Sequence, residues 1–352
     1  MNKSERQLAL IQNDNLLRNF DNYSYDLSLN NLAFTGIKER CVWHFIEDFH
    51  ITTNFCVDIM HDIFERGCNY DLTALLNRLI FDLKLFRLSD LNSRINLFNY
   101  GELEKLNKPP AISGELSTFK LKMSASEMLS FTRYLGLMIG DLVPQNLDVW
   151  QLWIKLREII DIVTCPVMRY EDINHLKISI EEHNMLHIKY FGNLKPKHHH
   201  LVHYPTVAEM SGPLIHMWCM RSEQKHRQSK LTSKVSGGFK NILHTLAVKE
   251  QLRLYYNLLT QKSEKYEFGS FIAENLNRLK EHFTQLNNNL TRFVKWVNIK
   301  GTIYKSGMII VLNVEDIPLF ASISYIATVR EEIYFIYEKI SSTGFDSHVN
   351  IL

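Results

Sequence analysis

The sequence predicts a mainly α-helical protein that closes in a small β-domain, and three observations carry that reading. Apolar residues recur at spacings of three and four through much of residues 54–290, the mark of amphipathic helices. Near residue 293 the pattern changes to alternating β-branched and aromatic residues, punctuated by Gly301, Gly307 and Pro318. Residues 1–53 show neither period and are rich in Asn and Asp, which favour turns and caps. The chain therefore divides into an irregular segment 1–53, a helical body 54–290 and a small β-domain 291–352.

The helical body opens at VDIMHDIFERG, where Val57, Met60 and Phe64 fall at helical spacing; Leu72, Leu75, Leu76, Leu79 and Ile80 repeat it. KLNKPPAISGELSTFKLK is a loop, because Pro109-Pro110 blocks helix on either side. Ser124 and Glu127 form a capping-box signature, the hydroxyl serving as N-cap and the glutamate reaching back. The helix they open, EMLSFTRYLGLMIGDLV, is apolar nearly all round and is predicted to be buried. Further helices are predicted near 148–163, 171–190, 219–230, 241–263 and 269–288. In the tail, IYFIYE places Ile333, Phe335 and Tyr337 on one side of a strand and Tyr334, Ile336 and Glu338 on the other. About sixty residues of such short strands suit a small barrel.

Composition narrows the class. A formal charge of +2 over 352 residues means that any affinity for nucleic acid comes from a local patch. Cys41, Cys56, Cys68, Cys165 and Cys219 are dispersed without CxxC spacing, which reads as reduced thiols in the nucleus or cytoplasm. No apolar run approaches the ~20 residues of a membrane span, so no membrane partner is expected. The N-terminal MNKSERQLALIQNDN lacks the apolar core of a signal peptide.

Residues 197–230, KHHHLVHYPTVAEMSGPLIHMWCMRSEQKHRQSK, concentrate the chemistry. His200 and His203 at i,i+3, and His199 and His203 at i,i+4, have the spacing by which two imidazoles share a zinc on one helix face; the alternative is turn or surface histidines. Glu223 sits among Arg221, Lys225, Arg227 and Lys230. It reads either as a member of exposed ion pairs or as an oxygen ligand for Mg²⁺ beside cations that hold a DNA backbone. Asp58 and His61, three apart at a helix start, read as a cap and a polar pair, with a carboxylate–imidazole hydrogen bond within reach.

TGIKERCVWHF, NFCVDIMHDIFE, LKMSASEMLSFTRYLGLMIGDLVP, KPKHHHLVHYP and GPLIHMWCMRSEQKHRQSK, in that order, resemble the transposases of CACTA-type DNA transposons over roughly residues 16–350. The histidine stretch also resembles the matching part of the recombinase that cuts antigen-receptor genes. The resemblance implies an RNase H-like fold in which two aspartates and a glutamate bind Mg²⁺ for strand cleavage and transfer. It makes Asp58 and His61 a DxxH motif, Glu223 the third catalytic carboxylate, and His198 with His203 the histidine pair of a zinc site. The spacing from His203 to Glu223, 223 − 203 = 20 residues, is similar to that family.

In that family the two aspartates and a CxxC zinc pair lie upstream of the TGIKE segment. The chain accordingly corresponds to the C-terminal half of a transposase: the helical insertion, the last catalytic helix and the β tail. Three readings follow: a truncated or decayed transposase, catalytically incomplete alone but able to bind DNA; a host-adopted DNA- or protein-binding module; or an incomplete gene model of an active enzyme. With part of its packing surface upstream, the chain is expected to self-associate or to need a partner that supplies the missing layer.

Overall fold

Leu72, Leu75, Leu76 and Leu79 are all fully buried, and the helix that carries them lies at the centre of the helical unit. Burying one such side chain contributes about 1.5–3 kcal/mol. The structure, a computed structural model, describes residues 9–113, 121–237, 240–260, 266–272, 291–299, 302–314, 318–330, 332–342 and 344–349. It divides into one unit of Met1–Gln228 with Asp346–Ile351 and a second of Ser229–Phe345 with Leu352. The division thus falls near 229 rather than 291, and residues 1–53 belong to the helical unit rather than to a segment of their own.

The N-terminal segment contains α1, Phe20–Ser28, where an irregular stretch was expected. Its Asn residues explain the difference. Asn19 caps the helix by accepting from the Asn22 amide, and the Asn22 side chain accepts from the Asn19 amide in return. Asn31 caps a further single turn, Leu32–Thr35, that ends at Gly36 with φ of 73°, a left-handed conformation suited to glycine.

The central helix is π-wound over Met60–Gly67, α-helical over Cys68–Asn77 (α2) and π-wound again over Arg78–Asp82. After α3, Leu88–Leu97, comes α4, Ala125–Ile139, opened by the predicted capping box: the Ser124 amide donates to Glu127 Oε2 at 2.7 Å. Met128, Phe131, Leu135, Met138 and Ile139 of α4 are all buried within the chain. The predicted burial of this helix holds along that face, where α2 and α3 lie against it, while Leu137 is exposed. Then follow α5, Gln151–Val163, and α6, Tyr170–Phe191, packed on each other, α7, Pro196–Leu201, and α8, Tyr204–Ser211. The chain end returns to this unit: Trp150 Nε1 donates to the His348 carbonyl at 2.8 Å, and His348 Nε2 lies 3.0 Å from the Gly140 and Val143 carbonyls. Nothing in the sequence of that terminal turn announces the contact.

Met220–Ser236 forms α9, and Ile242–Thr260 forms α10. Leu243, Leu254, Leu258 and Leu259 of α10 are exposed. The helix expected over 269–288 lies largely outside the described residues; at its start Phe271 makes an antiparallel bridge with Val294 instead.

Among the described residues, seven strands make two antiparallel sheets in the second unit. β1 (Tyr266–Phe268), β3 (Trp296–Ile299) and β4 (Thr302–Lys305) pair in the order β1-β3-β4. In the other sheet β6 (Pro318–Val329) pairs with β2 (Thr291–Val294), β5 (Ile309–Val314) and β7 (Glu332–Ile340). The predicted alternation in β7 holds: Ile333 and Phe335 pack with Val294, Val297, Ile323 and Ile326, whereas Tyr334 and Ile336 pack with Phe293, Ala327 and Val329. Both faces are covered, and a bulge between Ile323 and Tyr325 offsets the register against β7.

Candidate functional site

Three side chains at the start of the central helix reach three different parts of residues 197–223. The π-wound turn widens the helix there, a feature found often at functional sites. Asp58 Oδ1 accepts from the amides of Met60 and Cys219, each at 3.1 Å, and its Oδ2 accepts from His61 Nδ1. The other ring nitrogen of His61, Nε2, lies 3.5 Å from Glu223 Oε1. One residue on, Asp62 receives Lys197 Nζ at 2.6 Å, His200 Nδ1 at 3.0 Å and Tyr204 Oη at 3.3 Å. Phe64 meets the Trp218 ring edge-on at 6.4 Å just before α9 begins.

The structure thus brings Asp58, His61 and Glu223 together, with Cys219 beside them. The hydrogen bond His61 donates to Asp58 raises His61 above the ordinary imidazole value, and burial offsets only part of that rise. Burial alone would push Asp58 up, but hydrogen bonds from His61, Cys219 and Met60 outweigh it and hold the carboxyl low. The Cys219 thiol is pushed up to about 11 by its hydrogen bond to Asp58 and by burial, so it stays protonated. Glu223 is half-exposed in the first turn of α9, where helix amides and the dipole favour a carboxylate. Arg221, Lys225 and Lys230 are exposed on the same helix; the side chain of Arg227 lies outside those described.

The predicted zinc pair is not brought together. His203 Nδ1 donates to Gln12 Oε1 at 2.8 Å, and its ring meets His199 edge-on at 5.0 Å. α7 ends at Leu201, so His203 begins the next helix and turns to different neighbours. His198, by contrast, points into a buried cluster. Its Nε2 lies 3.0 Å from Asp71 Oδ1, His187 Nδ1 lies 2.8 Å from the same oxygen, and His183 Nε2 lies 3.1 Å from Asp71 Oδ2. All four residues are at most 2% exposed. Burial alone would push Asp71 up, but the charges of His198 and His183 and the hydrogen bonds from His183 and His187 outweigh it and hold the carboxyl well below the usual range.

Two groups can therefore hold a metal ion among the described residues: Asp58, His61 and Cys219, and Asp71, His187 and His198. Sequence reasoning missed Asp62, Asp71, His183 and His187. One signal was present for the last two, because His183 and His187 stand four apart and share a face of α6.

Asp62 gives an expected pH effect. Burial by itself raises its pKa, but hydrogen bonds from His200 and Lys197 outweigh it, so the folded value lies below the unfolded one. Its contribution is complete above the unfolded carboxyl pKa of about 3.9 and is lost as pH falls through the lower folded value. Urea midpoints should accordingly fall more steeply below about pH 4 in the wild type than in Asp62→Asn. Parallel pH profiles would remove Asp62 as a source of acid sensitivity.

The chain matches no protein-family model, no curated protein and no solved structure.

Proposed function

We propose that this chain is part of a CACTA-type DNA transposase, with an RNase H-like relationship and a DNA-binding role, in which Glu223 is a divalent-metal carboxylate set beside a basic helix. The observation that supports this reading most is the approach of His61 to Glu223 at 3.5 Å, with Asp58 behind it. Two motifs that the resemblance selects from distant parts of the sequence meet at one place. A helix start is also a suitable seat for an anionic backbone, since free amides and Arg221 lie together there.

Mg²⁺ would supply charge for phosphate oxygens, and Glu223 is the ligand this chain offers it. Glu223 faces an imidazole rather than a second carboxylate, so the chain alone is expected to bind DNA without cutting it. Incubation with duplex DNA and Mg²⁺ or Mn²⁺ should leave the strands intact. Nicking that Glu223→Gln abolishes would show instead an active nuclease.

Binding is expected to be weak and salt-dependent. The double variant Arg221→Ala, Lys225→Ala should reduce the slope of log affinity against log salt by at most about two, since each phosphate contact releases about one counterion. Fluorescence anisotropy with a labelled duplex tests this. No binding at low salt, or a slope indifferent to the two changes, would make α9 a solvated face and remove the DNA reading.

A further inference from the structure

We propose that Asp58 is the positioning residue of the Glu223 site: its one carboxylate caps two helices, the central helix beside it and α9, whose first residues lie 161 positions away, and so fixes where Glu223 and Arg221 stand. The double cap stands on its own geometry; its consequence for DNA rests on the nucleic-acid reading of α9.

Asp58 lies just before the central helix, and its Oδ1 accepts from the Met60 amide at 3.1 Å, which is ordinary N-capping. The same oxygen accepts from the Cys219 amide, also at 3.1 Å. Cys219 is the cap residue of α9, because its carbonyl takes the first helical bond, from the Glu223 amide at 2.9 Å. In a capping box a Glu or Gln three residues on would reach back to the cap amide. Ser222 stands at that position, so the amide turns to Asp58 instead. The Cys219 thiol donates to Asp58 as well, and His61 Nδ1 donates to Oδ2. An ionised carboxylate offers about four acceptor sites and can hold all of these donors at once. Two helix starts thus aim free amides at one carboxylate, and both dipoles favour its charge.

α9 needs such an anchor because its first turns have no packed face. Every described side chain from 221 to 226 is exposed. A helix without a buried stripe is not located by packing, so its direction is set where it begins. There Met217, Trp218 and Met220 lie against the core, and Trp218 meets Phe64. Apolar contacts of this kind are non-directional. The bonds to Asp58 are directional, and through His61 the same carboxylate also sets the imidazole that faces Glu223 at 3.5 Å.

Asp58→Ala and Asp58→Asn test this in the full chain. Both remove the same charge, but asparagine keeps an oxygen for the Met60 and Cys219 amides. Hydrogen exchange over residues 219–226 should be about 5–30-fold faster in Asp58→Ala, the range for a lost cap, and close to wild type in Asp58→Asn. Affinity for a labelled duplex, read by fluorescence anisotropy, should fall in Asp58→Ala and be restored in Asp58→Asn. The lost negative charge, common to both variants, would by itself strengthen binding to phosphate. Exchange that is unchanged in both variants, or equally fast in both, would overturn the cap. Equal DNA affinities in the two variants would overturn the positioning role. If Asp58→Ala does not fold, the wild type decides: a Cys219 amide that exchanges as fast as one in an unstructured chain would overturn the proposal. If the wild type binds no DNA, the nucleic-acid reading of α9 fails and exchange alone decides the cap.

Discussion

Trp153→Ala is expected to lower the unfolding free energy of the helical unit by about 3–5 kcal/mol, the range for removing a large ring from a closed core. Trp153 is fully buried and stacks on Trp150 with ring centroids 4.6 Å apart. Its Nε1 donates to the Thr132 carbonyl at 3.0 Å. The ring also occupies the space a side chain would need at Gly136, where a Cβ would come within 2.3 Å of it. Gly136→Ala should therefore destabilise too, by about 1–3 kcal/mol, although alanine is the better helix former. Urea unfolding followed by circular dichroism tests both, with a lower midpoint and unchanged slope expected. A loss below ~1 kcal/mol for Trp153→Ala would show that the neighbouring helices collapse into the space.

Asp71→Ala is expected to be comparably severe, about 3–5 kcal/mol, because removing one member of a buried charged network strands the others. His183, His187 and His198 would each lose their nearest acceptor inside a dry core. Measuring the variant and the wild type in excess chelator separates this effect from any bound ion. A chelated Asp71→Ala protein as stable as the chelated wild type would show that the histidines find other partners.

What could be read from the sequence was mostly local. The capping box at Ser124 and Glu127, the stripe from Leu72 to Leu79 and the alternation in β7 all depend on neighbours within a few residues. The same locality explains the surplus structure in 1–53. Asn-rich composition favours turns and caps alike, and here Asn19 and Asn31 act as caps that start helices. Helix ends were less legible: α9 runs on to Ser236, because Lys and Ser on an exposed helix give no stop signal before Gly237.

The candidate sites divide along the same line. The sequence by itself determined that residues 197–223 carry imidazoles, a glutamate and cations in close succession, and that Asp58 and His61 share a helix start. Tertiary structure alone decided which of these groups meet. Spacing favours His199 or His200 as the partner of His203, and the resemblance favours His198, but a helix break after Leu201 sends His203 to Gln12. His198 goes instead to Asp71, a residue 127 positions earlier (198 − 71 = 127), where His183 and His187 of another helix already stand. A carboxylate is a surface residue or the centre of a buried cluster according to what packs over it, and packing is set by contacts far apart in the chain.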